Sequence, residues 1–307
     1  MRTTTGIVLR AQGGVYQVET PTGVREAVLR GRLKQEQRPD ERVVVGDRVE
    51  VAPPDAGESS PWTIEKVHER HSALVRRAPG RANRPKVIAA NVDQVLVVFA
   101  TAEPSPHLRM LDRFLVLCES SGLDAVVVVN KVDLVGEAKA RRTFSLYETI
   151  GYPVLYTSVV SGLGLDDLRA RVRDRVSALT GPSGVGKSSL LNAIEPGLRL
   201  RVGAISEAVR KGRHTTVTAE LIPLKEGGYV ADTPGLRELG LWAIPQEELD
   251  RFFPEFGPLL GRCRYGNSCT HSHEPDCAVR DAVEAGEVSW ERYDSYLRML
   301  RGDEVSG

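Results

Sequence analysis

Residues 181–188 read GPSGVGKS, preceded by the β-prone run VSALT at 176–180 and followed by the helical stretch KSSLLNAIE at 187–195. The pattern G-x-x-x-x-G-K-[ST], placed between a strand and a helix, is that of a phosphate-binding loop. Gly181, Gly184 and Gly186 let backbone N–H groups curl around phosphate oxygens without Cβ clashes, with Pro182, Ser183 and Val185 between them. Lys187 is placed to reach the β- and γ-phosphates, and Ser188 to offer its hydroxyl to Mg²⁺. Ser189 lies beside them at the helix start, whose positive end points at the anion.

Downstream, Asp232-Thr-Pro-Gly235 follows the strand-like GGYVA. An Asp at such a strand end can hold Mg²⁺, and the Gly235 N–H can meet a γ-phosphate. Alone, Pro-Gly marks only a turn; after a phosphate loop it reads as the magnesium element. Between the two lies RKGRHTTVTAEL. A segment there that senses Mg²⁺ and the γ-phosphate needs a Thr, and Thr215 and Thr216 both qualify, with Thr216 favoured. The bland alternative is that both are β-branched residues leading into a strand.

Upstream, NKVD occupies 130–133 at the end of AVVVV. Asp133 can accept from N1–H and the N2 amino group of guanine, donors that adenine lacks there. Asn130 can hold neighbouring loops, and the Lys131 stem can cover the base plane. Ser158, in TSVVSG, fits the last element, in which a backbone N–H meets guanine O6. The neighbouring Val159 stands where many GTPases have Ala. The elements therefore run base, base, phosphate, switch, magnesium. Cutting an ordinary GTPase domain between its third and fourth strands and joining its old ends produces this order, since domain termini often lie close together.

Strands and helices alternate from Asn91. NVDQVLVVFA reads as a strand buried on both faces, followed by helical patterns at 108–121, 137–150 and 165–173. This predicts a parallel doubly wound sheet with ligands at the carboxyl ends of its strands. Residues 1–75 contain short β-prone runs, with a hairpin signal at Gly13-Gly14, and predict a small β-barrel of OB or SH3-like type. The expected division is a barrel over 1–75, a permuted GTPase domain over 76–241 and a small α-rich zinc-binding domain over 242–307.

That last region holds Cys263-x₅-Cys269-x-His271-x₅-Cys277. Three thiolates and one imidazole satisfy tetrahedral Zn²⁺ and leave no open position, so the site reads as structural. His273 competes with His271. Trp290, Tyr293, Tyr296 and Leu297 read as a packing stripe, and Cys118, in LDRFLVLCESSG, as a small core residue.

The chain has 307 residues, is 41% hydrophobic and balances 41 basic against 41 acidic residues, so net charge alone names no partner. Local charge is less even: six basic residues and no acid lie between Arg70 and Lys86, either a solvated linker or a nucleic-acid contact. No apolar run is long enough to span a membrane, and MRTTTGIVLR lacks the core of a signal peptide, which predicts a cytoplasmic protein.

GPSGVGKSSLLNAI, GRHTTVTAEL, DTPGLREL and CRYGNSCTHSHEPDCAV together resemble the bacterial ribosome small-subunit-dependent GTPase A family over nearly the whole chain. The resemblance implies an OB-fold amino-terminal domain, ribosomal RNA binding, and a GTPase stimulated by the small ribosomal subunit and acting late in its assembly. It also favours His271 over His273, through the C-x-H pattern. DDLRARVRDRVSALTG is shorter than the family's usual segment ahead of the phosphate loop. Leu236 replaces the Gln that orients water in many signalling GTPases. His214 is the candidate to position that water, as the resemblance also suggests; the alternative is an RNA contact beside Arg210, Lys211 and Arg213. The resulting expectation is a monomeric hydrolase using GTP/GDP, Mg²⁺ and Zn²⁺, with hydrolysis driving release from the subunit. A non-ribosomal RNA-associated switch, a small-molecule kinase and a binding module with an inactive site are the alternatives. NKVD argues against the kinase, and intact Lys187, Ser188 and Asp232 argue against the inactive module.

Overall fold

A computed structural model describes residues 3–31, 33, 42–54, 60–76, 86–198, 219–232 and 244–303. Six strands build the central sheet: β8 (Gln94–Ala100), β9 (Asp124–Asn130), β10 (Val154–Tyr156), β11 (Val176–Thr180), β12 (Glu220–Pro223) and β13 (Tyr229–Asp232). Their order is β10-β9-β8-β11-β13-β12, parallel throughout except for β12. Every residue of β8 is buried, as a strand covered on both faces requires.

Alternation assigns the two faces. Val95, Val97, Phe99, Val127 and Val129 share one core with Leu111 and Leu115 of α1 (Leu108–Ser120) and Phe144 and Tyr147 of α2 (Glu137–Ile150). Leu96, Val98, Val126 and Val128 face the other way. They pack on Leu168 of α3 (Leu165–Val172) and on Leu190, Leu191 and Ile194 of α4 (Lys187–Ile194). Cys118 is buried in the first of these cores.

The short segment before the phosphate loop is long enough. Asp174, at φ 56°, turns the chain from α3 into β11, which pairs with β8 on one side and β13 on the other. The Gln94 amide bonds Ser177 Oγ at 2.9 Å and Arg171 O at 2.8 Å, tying that helix end to the strand.

Among the amino-terminal strands β1 (Thr4–Gln12), β2 (Val15–Thr20), β3 (Gly23–Leu29), β4 (Arg48–Ala52) and β5 (Trp62–Val67), pairing closes in the order β1-β2-β3-β5-β4-β1. The β3–β5 pair is parallel, and this closure is that of an OB barrel rather than an SH3-like one. Val8, Val18, Val49, Val51 and Ile64 fill it. Arg10 of β1 pairs with Glu220 of β12, so the barrel and the central sheet share one edge. A ribbon of β6 (Ala73–Arg76) and β7 (Lys86–Ala90) leads from barrel to sheet. Asn91 Nδ2 donates to Gly46 O at 2.9 Å and pins that junction to the barrel.

The carboxy-terminal unit comprises 3-10 helices at Gln246–Phe252, Pro254–Leu259 and Gly266–Ser268, then α5 (Ala278–Glu284) and α6 (Trp290–Arg301). Ser289 caps α6 by accepting from the N–H groups of Glu291 and Arg292. Tyr293 and Tyr296 are buried as the stripe predicts, but Trp290 is 61% exposed and lies off it. The packing face of α6 starts one turn later than its aromatic spacing suggests. No helix among the described residues is long and apolar enough to cross a membrane.

Candidate active site

The phosphate loop leaves β11 through Gly181 at φ 131°, where a Cβ would sit 2.0 Å from Val98 O. Only glycine can make that turn against β8. Ser183 and Gly184 are exposed at the loop tip, Pro182 is half-buried, and the Val185 side chain is buried in the core under α4. Lys187 is buried, and its ammonium donates to Gly181 O at 2.8 Å and Pro182 O at 2.6 Å. It is thus curled inside the loop, poised for phosphate oxygens to replace those carbonyls. Ser188 is buried and Ser189 half-buried in the first turn of α4.

NKVD meets this loop directly. Asn130 Nδ2 donates to Val185 O at 2.9 Å, and Asn130 Oδ1 accepts from Thr157 Oγ1 at 3.2 Å. Lys131, at φ 61°, sends its ammonium to Glu103 O. Asp133 is exposed and accepts from Ser158 Oγ at 2.5 Å. Its carboxylate is therefore held but open, and a bound base would supply its burial. The Ser158 N–H donates to Leu163 O at 3.0 Å.

Asp232 ends β13, whose Ala231 is in register with Ala178 of β11. It therefore shares the carboxyl edge of the sheet with Gly181. His214, Thr215, Thr216 and Gly235 lie outside the described residues. Thr157, Thr101 and Glu103 were not singled out by the sequence, because nothing in their spacing marks them; each acts across a distance in the chain.

The ligand atoms of Cys263, Cys269, His271 and Cys277 all lie within 4.8 Å of one another, and all four residues are buried. Sγ of Cys263 is 3.8 Å from Sγ of Cys277, and His271 Nδ1 is 3.5 and 3.3 Å from these two sulfurs. The sulfur–sulfur edge of a zinc tetrahedron with 2.3 Å bonds is about 3.8 Å, so the set fits that ion. His273 is outside the cluster, exposed, with Nδ1 on Ser272 Oγ at 2.8 Å. His271 Nε2 faces Asp250 Oδ2 at 3.3 Å, the partner that fixes a ligating imidazole. Asp250 stands 21 residues away, beyond any local pattern. Tyr293 and Tyr296 donate to the carbonyls of His271 and Thr270.

Burial opposes the Cys263 thiolate, but the Ala278 N–H and the adjacent thiols hold its pKa below the ordinary value. Burial pushes Cys269 up to about 12. Three thiols this close cannot ionise together without a cation among them.

Fold and site define a P-loop GTP hydrolase with a circularly permuted order of motifs. The chain belongs to the RsgA GTPase family: that family's profile matches residues 67–242, and the RsgA N-terminal domain profile matches residues 5–60. The "Small ribosomal subunit biogenesis GTPase RsgA" of Gemmatimonas aurantiaca is 53% identical over 305 residues, 99% of this chain and 98% of that one. The protein of the same name from Moorella thermoacetica is 47% identical, with 96% of each chain covered. Among solved structures, YjeQ from Thermotoga maritima superposes with a TM-score of 0.80 at 37% identity, covering 98% of both chains. YloQ, described as a circularly permuted GTPase, gives 0.76 at 31% identity, covering 98% of this chain and 95% of that one.

Proposed function

We propose that this GTPase binds the small ribosomal subunit and its ribosomal RNA, acts late in that subunit's assembly, and leaves on hydrolysis of GTP. The observation that carries the nucleotide part is the Asn130–Val185 bond at 2.9 Å, which joins a guanine-reading loop to a phosphate loop 55 residues later. The relatives' name supports the ribosomal part. Asp133 reads the base, Lys187 the β- and γ-phosphates. Ser188, Asp232 and Thr216 would hold Mg²⁺, which neutralises charge on the phosphates. His214 positions water. Cys263, Cys269, His271 and Cys277 would hold a structural Zn²⁺. The protein works as a cytoplasmic monomer divided near residues 75 and 241.

The test is GTP hydrolysis by the purified chain alone and with small, large or assembled ribosomal particles, with ATP as control. Strong stimulation by the small subunit alone is expected. Hydrolysis indifferent to every particle would remove the ribosomal reading and leave an RNA-associated switch.

A further inference from the structure

The loop that follows β8 takes no part in the nucleotide chemistry described above, yet it holds the two residues that begin NKVD. Thr101 N–H donates to Asn130 O at 2.9 Å, and Thr101 Oγ1 donates to Lys131 O at 2.6 Å. Two residues on, Glu103 O receives the Lys131 ammonium. The next residue, Pro104, lies against the phosphate loop: its Cδ would be 3.5 Å from a Cβ on Gly184. Residues 101–104 are thus wedged between the base-reading loop and the phosphate loop.

What they hold is an unfavourable turn. Lys131 has φ 61°, a left-handed conformation that an L-residue keeps only when its surroundings impose it. That turn bends the chain out of β9 into the 3-10 turn Val132–Leu134, and so sets where Asp133 meets Ser158. Val132 N–H to Thr157 O, at 3.2 Å, secures the far side of the bend. On the near side the securing group is the Thr101 hydroxyl.

We propose that Thr101 is a positioning residue for guanine recognition: its hydroxyl, bonded to Lys131 O, fixes the left-handed turn that aims the Asp133 carboxylate. The inference rests on the assignment of Asp133 as the group that reads the base. Guanine offers that carboxylate N1–H and the N2 amino group, whereas hypoxanthine offers N1–H alone. Misaiming Asp133 therefore weakens GDP more than IDP.

The experiment measures binding of GDP, IDP and inorganic pyrophosphate to the full chain with Thr101→Val and Thr101→Ser, alongside thermal melts. Thr101→Val keeps the backbone bond and removes the hydroxyl. We expect GDP affinity to fall about five- to tenfold, IDP affinity to fall less, pyrophosphate to bind as before, and Thr101→Ser to restore the GDP-to-IDP ratio. An unchanged ratio in Thr101→Val overturns the proposal, even if both nucleotides weaken, because that is the mark of a general loss of structure. If Thr101→Val does not fold, Thr101→Ala carries the same comparison. A parent chain that binds GDP no better than IDP would instead sink the reading of Asp133.

Discussion

Arg292 Nη1 donates to Asp112 Oδ1 at 2.8 Å, and both side chains are shut off from solvent. The bond joins α6 of the carboxy-terminal unit to α1, which follows β8. Arg292 Nε donates to Glu255 Oε1 at 2.7 Å, Tyr147 Oη donates to Asp112 Oδ1 at 2.9 Å, Ser295 donates to Asp112 Oδ2, and the ring of Phe253 lies under Arg292 at 4.6 Å. The carboxy-terminal unit is therefore docked on the half of the sheet that carries NKVD.

A buried ion pair stripped of one partner leaves an uncompensated charge. Arg292→Ala is expected to cost about 3–5 kcal/mol, read as a lowered denaturation midpoint in urea. Replacing the pair with Arg292→Met and Asp112→Leu together should recover part of that loss. A single variant as stable as the parent would show that the network does not hold the unit in place.

Gly186 has φ 96°, and a Cβ there would come within 2.4 Å of Asn130 Nδ2. Gly186→Ala should break the Asn130–Val185 bond and lower GDP affinity by about a hundredfold while circular dichroism stays unchanged. GDP titration of the variant checks this. Binding within a fewfold of the parent would mean that the loop adapts.

One zinc per chain is expected by atomic emission. Stripping it with a strong chelator, or Cys277→Ser, should lower the melting temperature by on the order of 10 °C. GDP affinity is the control, since the cluster's four residues lie outside the nucleotide site. A chain that melts identically before and after chelation would rule out a structural metal.

Tyr229 Oη donates to Glu19 Oε2 at 2.7 Å, linking the central sheet to the barrel. Burial first, then the bond and charge of Glu19, raise the Tyr229 phenol to about 12. A raised folded-state pKa stabilises the protonated form. The contribution is present in full below the unfolded value of about 10 and is lost as pH rises through about 12. Tyr229→Phe should thus cost about 1 kcal/mol at neutral pH, and its melting curve should converge on the parent's in strong alkali. A gap that persists there would assign the effect to packing.

Much of the site was legible because its parts are local. Glycine spacing in 181–188, the carboxylate of NKVD and the close spacing of Cys263, Cys269 and Cys277 each depend on neighbouring residues whose type and spacing set their chemistry. The alternating apolar pattern likewise assigns strands, because side chains on a strand must point to opposite faces. Trp290 shows the limit: its helical spacing matched the stripe, yet what covers a helix face is decided by other elements.

Local spacing was enough to read a phosphate loop, an NKVD element and a Cys/His cluster, in permuted order along alternating strands and helices. It took the packing of whole elements to close the barrel through a parallel β3–β5 pair and to bring His271 rather than His273 to the thiols. The same packing brings Asn130 to Val185, and Arg292 to Asp112 at a separation of 180 residues. Such contacts have no period to read. They form between residues brought together by the packing of whole elements, and burial makes them matter, because a polar group removed from water must find its partner wherever in the chain that partner lies.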